Sequence, residues 1–151
     1  MKRFKFNLQQ LLDLREAKEK QVMNELSALV SQQNVERQKQ ETLQTNLNAE
    51  HSRMTQKMRL GDLTSNEVLN YARFVVLSET AMKSAGRKID GFEPSISKVR
   101  VRLINASKEK KVVEKLREKK QEEFYYEMNR EMAKENDDAN QKIYAARRRV
   151  L

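Results

Sequence analysis

The 151-residue sequence predicts an all-α protein, a long two-helix antiparallel coiled-coil hairpin whose second helix is longer than the first. Three observations lead to this prediction. Charged residues make up 35% of the chain beside 38% apolar residues, with three Gly, one Pro and no Trp, a composition typical of long helices and coiled coils. Apolar residues recur in alternating steps of three and four, which is the period of an α-helix. One turn signal interrupts this period near the middle of the chain.

The first helix is predicted at about residues 7–59, within a single helical-hairpin domain over residues 1–151. Its apolar stripe consists of Leu8, Leu12, Val22, Leu26, Leu29, Leu43, Leu47 and Met54. Arg15, Glu19 and a polar zone around Gln33 interrupt the stripe. A stripe this narrow predicts a seam with one partner helix in place of a thick core.

The connection between the helices is predicted at residues 60–64. Gly61 is suited to the end of the first helix, because glycine adopts a left-handed backbone without a steric penalty. Thr64 and Glu67 form a capping-box pattern that opens the second helix. A stop signal followed so closely by a start signal predicts a tight turn and an antiparallel pair.

The second helix is predicted at about residues 65–149. Its stripe first follows Val68, Tyr71, Val75, Met82, Ala85, Ile89, Phe92, Ile96, Val99, Leu103 and Ala106, and then shifts register. Gly86, Gly91 and Pro94 fall within this helix, and a proline removes a backbone donor and clashes with the preceding turn. We therefore expect a kink or hinge near residues 86–95, opposite the polar zone of the first helix.

The position of the turn predicts which residues face each other. If the turn centres between Asp62 and Leu63, the numbers of facing residues add up to about 125 in a regular helical pair. Apolar residues then meet in five layers: Met54–Tyr71, Leu43–Met82, Leu29–Ile96, Leu26–Val99 and Val22–Leu103. In this register about thirty residues of the second helix extend beyond the first. The stripe of Phe124, Met128 and Met132 on this extension is expected to have no partner within the chain.

No motif for catalysis, a cofactor or a metal is recognisable. The chain has no Cys, its three glycines are scattered, and His51 is the only histidine, which argues against a thiolate metal site and a phosphate-binding loop. No apolar run is long enough to cross a bilayer, and the basic N-terminus lacks the apolar core of a signal peptide. We therefore predict a cytoplasmic protein that is not an enzyme, has no cofactor and does not insert into membranes.

The net charge of +9 raises the question of nucleic-acid binding. Most of the excess positive charge is spread among interleaved Glu residues, and pairs at a spacing of three, such as Glu114 and Arg117, place opposite charges side by side on a helix surface. Only the arginines at 147–149 form an unrelieved basic cluster. This pattern favours a solvated helix surface, so we predict no nucleic-acid partner.

Three segments resemble the flagellar export protein FliJ family. The first is the opening Phe4-x-Phe6-x-Leu8-Gln9-x-Leu11-Leu12-x-Leu14-Arg15-Glu16. The second follows the turn and consists of Ser65-Asn66 with Asn70-Tyr71 and Phe74. The third is Leu116-Arg117-Glu118-Lys119-Lys120-x-Glu122-Glu123. Their order and spacing extend the resemblance through most of the chain.

The resemblance implies a two-helix antiparallel coiled coil of the flagellar type III export apparatus, similar to the central stalk of rotary ATPases. It implies that the terminal end of the hairpin lies in the pore of a hexameric export ATPase and promotes its assembly and activity. The other implied partners are the cytoplasmic domain of the export gate and the export chaperones. The implied location is the cytoplasm, in peripheral association with the export apparatus at the inner membrane.

Two candidate surfaces follow from the resemblance together with the apolar pattern. The candidate ATPase-binding surface comprises Leu11, Leu14, Arg15, Arg117, Lys119 and Lys120. Its leucines lie off the seam, unlike Leu8 and Leu12. The candidate gate-binding surface comprises Phe74, Leu77 and Ala81, at positions i, i+3 and i+7. Two helices need only one seam, so this second strip predicts another partner, with local packing on the first helix as the alternative.

Other functions share this fold. A virulence type III secretion stalk, or another coiled-coil adaptor, has the same physical requirements. A basic helical protein that binds nucleic acid would show DNA binding that collapses steeply with salt. A membrane-surface helix is disfavoured by the Glu residues on every face of the predicted helices.

Overall fold

The computed structural model describes residues 3–150 and the side chains of residues 3–149; the ends of the predicted domain, residues 1–2 and 151, lie outside this part. Helix α1 runs over Gln9–Leu60 and helix α2 over Ser65–Val150. The described residues contain no strand. The predicted two-helix fold with a longer second helix is therefore confirmed. The chain divides into two compact units. Unit 1 is Met1–Glu19 with Asn105–Leu151, and unit 2 is Lys20–Ile104.

The turn between the helices, in unit 2, is stabilised by caps on both sides. Gly61 has a positive φ of 70°, and the backbone N–H of Asp62 donates to the Lys57 carbonyl over 3.1 Å, which closes the C-terminus of α1. At the start of α2, the Glu67 N–H donates to the Thr64 hydroxyl (3.3 Å) and the Thr64 N–H to the Glu67 carboxylate (3.1 Å). The predicted glycine stop and capping box are both confirmed.

The seam of unit 2 follows the predicted register. All ten residues of the five apolar layers are buried or half-buried, and Val22, Met54, Ile96 and Val99 are among the most buried. Between the helices, His51 Nδ1 lies 2.8 Å from the Tyr71 hydroxyl, and Gln40 Nε2 donates to the Met82 carbonyl over 3.4 Å. The residue numbers of both pairs add up to 122, close to the predicted value. The hairpin is thus antiparallel and aligned as the turn position indicated.

Helix α2 continues without interruption through Gly86, Gly91 and Pro94. Gln33, only 4% exposed, lies opposite this stretch and donates from Nε2 to the Ile89 carbonyl (3.2 Å) and to the Glu93 carboxylate (2.7 Å). The polar zone that interrupts the α1 stripe is therefore satisfied by hydrogen bonds to α2, because a buried amide without partners would be costly.

The core of unit 1 is built from Leu12, Ala106 and Val113, all buried. The two charged residues that interrupt the stripe of α1 here are also matched by α2. Arg15 donates from Nη1 to the Glu109 carbonyl over 2.7 Å. Lys110 Nζ donates to Glu19 Oε1 over 3.3 Å and lies 3.0 Å from Oε2 of the same carboxylate. This hydrogen bond to Glu19 raises the pKa of Lys110 above its ordinary value.

A non-helical arm, residues 3–8, precedes α1 and packs on α2 within unit 1. The rings of Phe4 and Phe124 lie 5.7 Å apart, and Phe6 is half-buried. The expectation that Phe124 has no partner in the chain was therefore wrong, because the arm that precedes α1 packs against this residue. Beyond Met128, every described side chain as far as Arg149 is exposed.

Candidate partner-binding surfaces

The candidate ATPase-binding surface lies entirely in unit 1, and its two leucines differ in exposure. Leu12 faces α2 and is 2% exposed. Two residues later on the helix the side chain points away from the seam, so Leu14 is 67% exposed. Leu11 lies at the edge of the seam and is half-buried. Leu14 is thus the apolar side chain of this set that is most available to a partner.

The cations of this surface are held to different degrees. Arg15 is half-buried, because its guanidinium donates to the Glu109 carbonyl, while Lys18 approaches the Glu109 carboxylate at 3.5 Å. Arg117 and Lys119 are exposed. Part of the donor capacity of Arg15 therefore serves contacts within the chain, which its position in the sequence did not reveal.

Lys120 adjoins a cleft formed by the N-terminal arm and α2. The cleft has a volume of about 670 Å³, and its apolar lining consists of Phe4, Phe6, Leu8, Leu116 and Phe124. At its rim, Lys120 Nζ lies 2.8 Å from the Glu123 carboxylate. The hydrogen bond between them raises the pKa of Lys120 and lowers that of Glu123. Sequence reasoning missed this cleft, although the pattern Phe4-x-Phe6 before the helix start was its visible signal.

The candidate gate-binding surface lies in unit 2 and is uneven. Leu77 is 70% exposed, whereas Phe74 and Ala81 are half-buried at the edge of the seam. Ala81 also lines a second cleft, of about 620 Å³, together with Val35 and Leu43 of α1. The strip is therefore partly local packing and partly free surface.

Exposed apolar side chains continue round α2 from Leu77. Val76 is 62% exposed and Leu69 is 52% exposed; seven residues apart, they share one face of the helix. The prediction left out both residues because they lie outside the strip of Phe74, Leu77 and Ala81. A partner that binds Leu77 can extend onto this face.

The structure contains no other site of recognisable chemistry in its described part. No group of three or more His, Asp or Glu side chains among the described residues could hold a metal ion. Neither helix, over those residues, is long and apolar enough to cross a membrane. The carboxylates and cations with shifted pKa values all lie in ion pairs, such as Glu50 with Arg53, where the hydrogen bond from Arg53 lowers the pKa of Glu50.

The comparisons with known proteins support the resemblance that the three sequence segments carry. The family model described as the flagellar FliJ protein matches residues 4–149, which include both helices and both candidate surfaces. No curated protein and no solved structure is similar enough to count as a match. Since the family match covers almost the whole chain, the expected family is confirmed, and the chain belongs to the flagellar FliJ protein family.

Proposed function

We propose that this chain is a non-enzymatic stalk of the flagellar type III export apparatus. In this proposal it binds the hexameric export ATPase, promotes the assembly and activity of that ATPase, and links it to the export gate and the export chaperones. It works in the cytoplasm, peripherally at the inner membrane. The observation that carries the proposal is the family match over residues 4–149, since membership of the flagellar FliJ family supports a role related to flagellar export.

The proposed ATPase contact is centred on Leu14, with Leu11, Arg117 and Lys119 around it. A partner-facing surface needs exposed apolar area for affinity and exposed charge for orientation. Leu14 supplies the first and the two cations supply the second. Arg15 plays a smaller part in this proposal than its position in the sequence suggested, because its guanidinium bonds to α2.

The proposed gate contact is centred on Leu77. Phe74 and Ala81 are half-buried, so only part of each side chain can touch a partner. Leu77 is the side chain that a partner can enclose. Exposed Val76 extends the apolar area on the same helix. Hot spots of this kind combine one enclosed anchor with a surrounding ring of weaker contacts.

The ATPase contact can be tested with a matched pair of leucines. Leu14 and Leu60 are almost equally exposed, 67% and 69%, but only Leu14 belongs to the proposed surface. Leu14→Asp should weaken stimulation of purified export ATPase roughly tenfold, as expected for loss of an apolar anchor. Leu60→Asp should leave hydrolysis and ring formation unchanged. Equal stimulation by both variants would refute this surface, and no effect of the unmodified chain on the ATPase would refute the proposed function.

The gate contact has its own test, with the roles exchanged. Leu77→Asp should weaken binding to the purified cytoplasmic domain of the export gate and leave ATPase stimulation intact, whereas Leu14→Asp should do the opposite. Circular dichroism of each variant should match the unmodified chain, because both leucines are exposed. If Leu77→Asp binds the gate domain normally, the gate contact lies elsewhere.

A further inference from the structure

A groove runs beside the seam of unit 2, where α2 presents three small side chains. Ala81, Ser84 and Ala85 form its wall on α2, and the wall on α1 is formed mainly by Val35, Thr42 and Leu43. Because alanine and serine reach only a short way from the helix, a volume of about 620 Å³ stays open between the two walls. A space of this size can enclose apolar groups of a partner.

The groove continues the exposed strip of the proposed gate contact. Leu77, Ala81, Ser84 and Lys88 follow one another in steps of four, three and four, so they share one face of α2. Leu77 is 70% exposed on this face, and Val35 is 51% exposed on the opposite wall of the groove. A partner segment that covers Leu77 and continues toward the C-terminus of α2 therefore enters the groove and meets α1.

Two lysines, one from each helix, lie along the rim of the groove. Nζ of Lys39 lies 3.1 Å and Nζ of Lys88 lies 3.9 Å from the same carboxylate oxygen of Glu36. The lysine side chains are 58% and 59% exposed, whereas the side chain of Glu36 is 13% exposed. One shielded carboxylate thus serves two ammonium groups that face water, and the three groups together carry a net charge of +1. This rim attracts an acidic side chain of a partner.

We propose that the groove binds an acidic amphipathic segment of the cytoplasmic domain of the export gate. The inference rests on the proposed gate contact, and it adds a second wall from α1 and a charge requirement. The apolar face of the segment covers Leu77 and packs between Val35 and Ala81, while a carboxylate at its edge lies near Lys39 and Lys88. An amphipathic segment laid in an apolar groove is a recurring mode of peptide recognition. Nucleic acid supplies anionic groups but no apolar face for Val35 and Leu77, so a protein segment is the better fit.

Val35→Asp tests the wall on α1, with Val101→Asp as its matched control. The two valines are 51% and 57% exposed and both belong to unit 2, but of the two only Val35 lines the groove. Titration with the purified cytoplasmic domain of the gate should give a dissociation constant about tenfold higher for Val35→Asp and unchanged for Val101→Asp. Ser84→Phe, which fills the groove from an exposed position, should weaken binding to a similar degree. Circular dichroism of all three variants should match the unmodified chain, because the replaced side chains are exposed.

The charge requirement is tested by removing both lysines at the rim. Lys39→Gln combined with Lys88→Gln should weaken gate binding about tenfold at low salt and remove most of its salt dependence, because the net charge beside the groove becomes negative. The control combines Lys83→Gln with Lys98→Gln. It changes the net charge of the chain equally but lies outside the groove lining, so it should bind as the unmodified chain does.

The outcomes distinguish this inference from the proposed gate contact. Normal gate binding by Val35→Asp and by the lysine double variant, together with loss of binding by Leu77→Asp, would overturn the groove and leave the gate contact in place. No binding of the unmodified chain to the gate domain would overturn both. If the lysine double variant binds the gate domain normally and instead loses affinity for a DNA duplex, the rim is a phosphate site and the proposal fails.

Discussion

Replacing Pro94 with alanine should stabilise the helical pair of unit 2. Pro94 lies in the interior of α2, far from both ends of that helix, and its side chain is exposed. The substitution therefore removes little packing. It supplies the missing N–H donor for the carbonyl four residues earlier, that of Asp90, and it removes the clash of the proline ring with that turn.

The magnitude follows from helix propensities and from exposure. A proline in a helix interior costs about 3 kcal/mol relative to alanine, and partial relaxation of the neighbouring turn reduces the recoverable part to about 2–3 kcal/mol. For a chain of this length, that corresponds to a rise of roughly 5–10 °C in Tm. Gly91→Ala is the comparison variant for this effect. A Cβ at Gly91 meets no atom within 4 Å, so the substitution changes helix propensity without changing packing. This variant should gain about 1 kcal/mol from propensity alone.

Urea unfolding measures the gain in the free energy of unfolding, and native-state hydrogen exchange shows where along α2 the gain occurs. The unmodified chain should exchange faster over residues 86–98 than over the rest of α2 in unit 2, and Pro94→Ala should slow that exchange selectively. Gly91→Ala should slow it less. Uniform protection over residues 80–105 in the unmodified chain, or no stabilisation by Pro94→Ala, would contradict this prediction. Either result would mean that the proline does not weaken the helix near residues 86–95.

Three further predictions concern the turn and the polar zone. Gly61→Ala should destabilise the chain by about 1–2 kcal/mol, because φ is +70° there and an L-residue is strained in that region; an unchanged Tm would contradict this. Glu67 should make stability sensitive to acid: its hydrogen bond from Lys57, and then the one from the Thr64 N–H, hold its pKa below the ordinary value of 4.5. A carboxyl group with a lowered folded pKa stabilises fully above its unfolded pKa and loses that contribution as the pH falls through the folded value. The Tm difference between the unmodified chain and Glu67→Gln should therefore shrink on acidification, and a constant difference from neutral pH to pH about 2 would refute the assignment. Gln33→Ala should cost about 2–3 kcal/mol in urea unfolding, from two lost hydrogen bonds and a buried methylene, whereas a cost near zero would mean that the polar zone is easily rehydrated.

Much of the fold could be predicted from the sequence because its determinants are local or periodic. The glycine at 61 and the capping box at Thr64 act over a few residues and mark the turn without knowledge of the rest of the chain. In an antiparallel pair, the turn position then determines every facing pair along the seam. Layers such as Leu26–Val99 could therefore be named in advance, and both residues are buried or half-buried.

The candidate surfaces were predicted less completely, because exposure depends on how side chains settle around the seam. The helical period places Leu14 and Leu77 off the seam, and both are largely exposed. The same period could not show that Phe74 is half-buried or that Val76 is exposed beside it. Those differences arise from the packing of individual side chains across two helices.

The sequence by itself determined the two helices, their turn, their register and the family to which the chain belongs. Only the tertiary structure decided how the interruptions of the seam are resolved: Gln33 bonds to the Ile89 carbonyl, Arg15 to the Glu109 carbonyl, and the arm packs through Phe4 on Phe124. Each of these contacts joins residues more than fifty positions apart and involves a backbone carbonyl or a non-helical segment, which helical periodicity does not describe. A polar residue in a seam indicates that it needs a hydrogen-bond partner. Which group serves as that partner depends on distances and hydrogen-bond geometry in the folded chain.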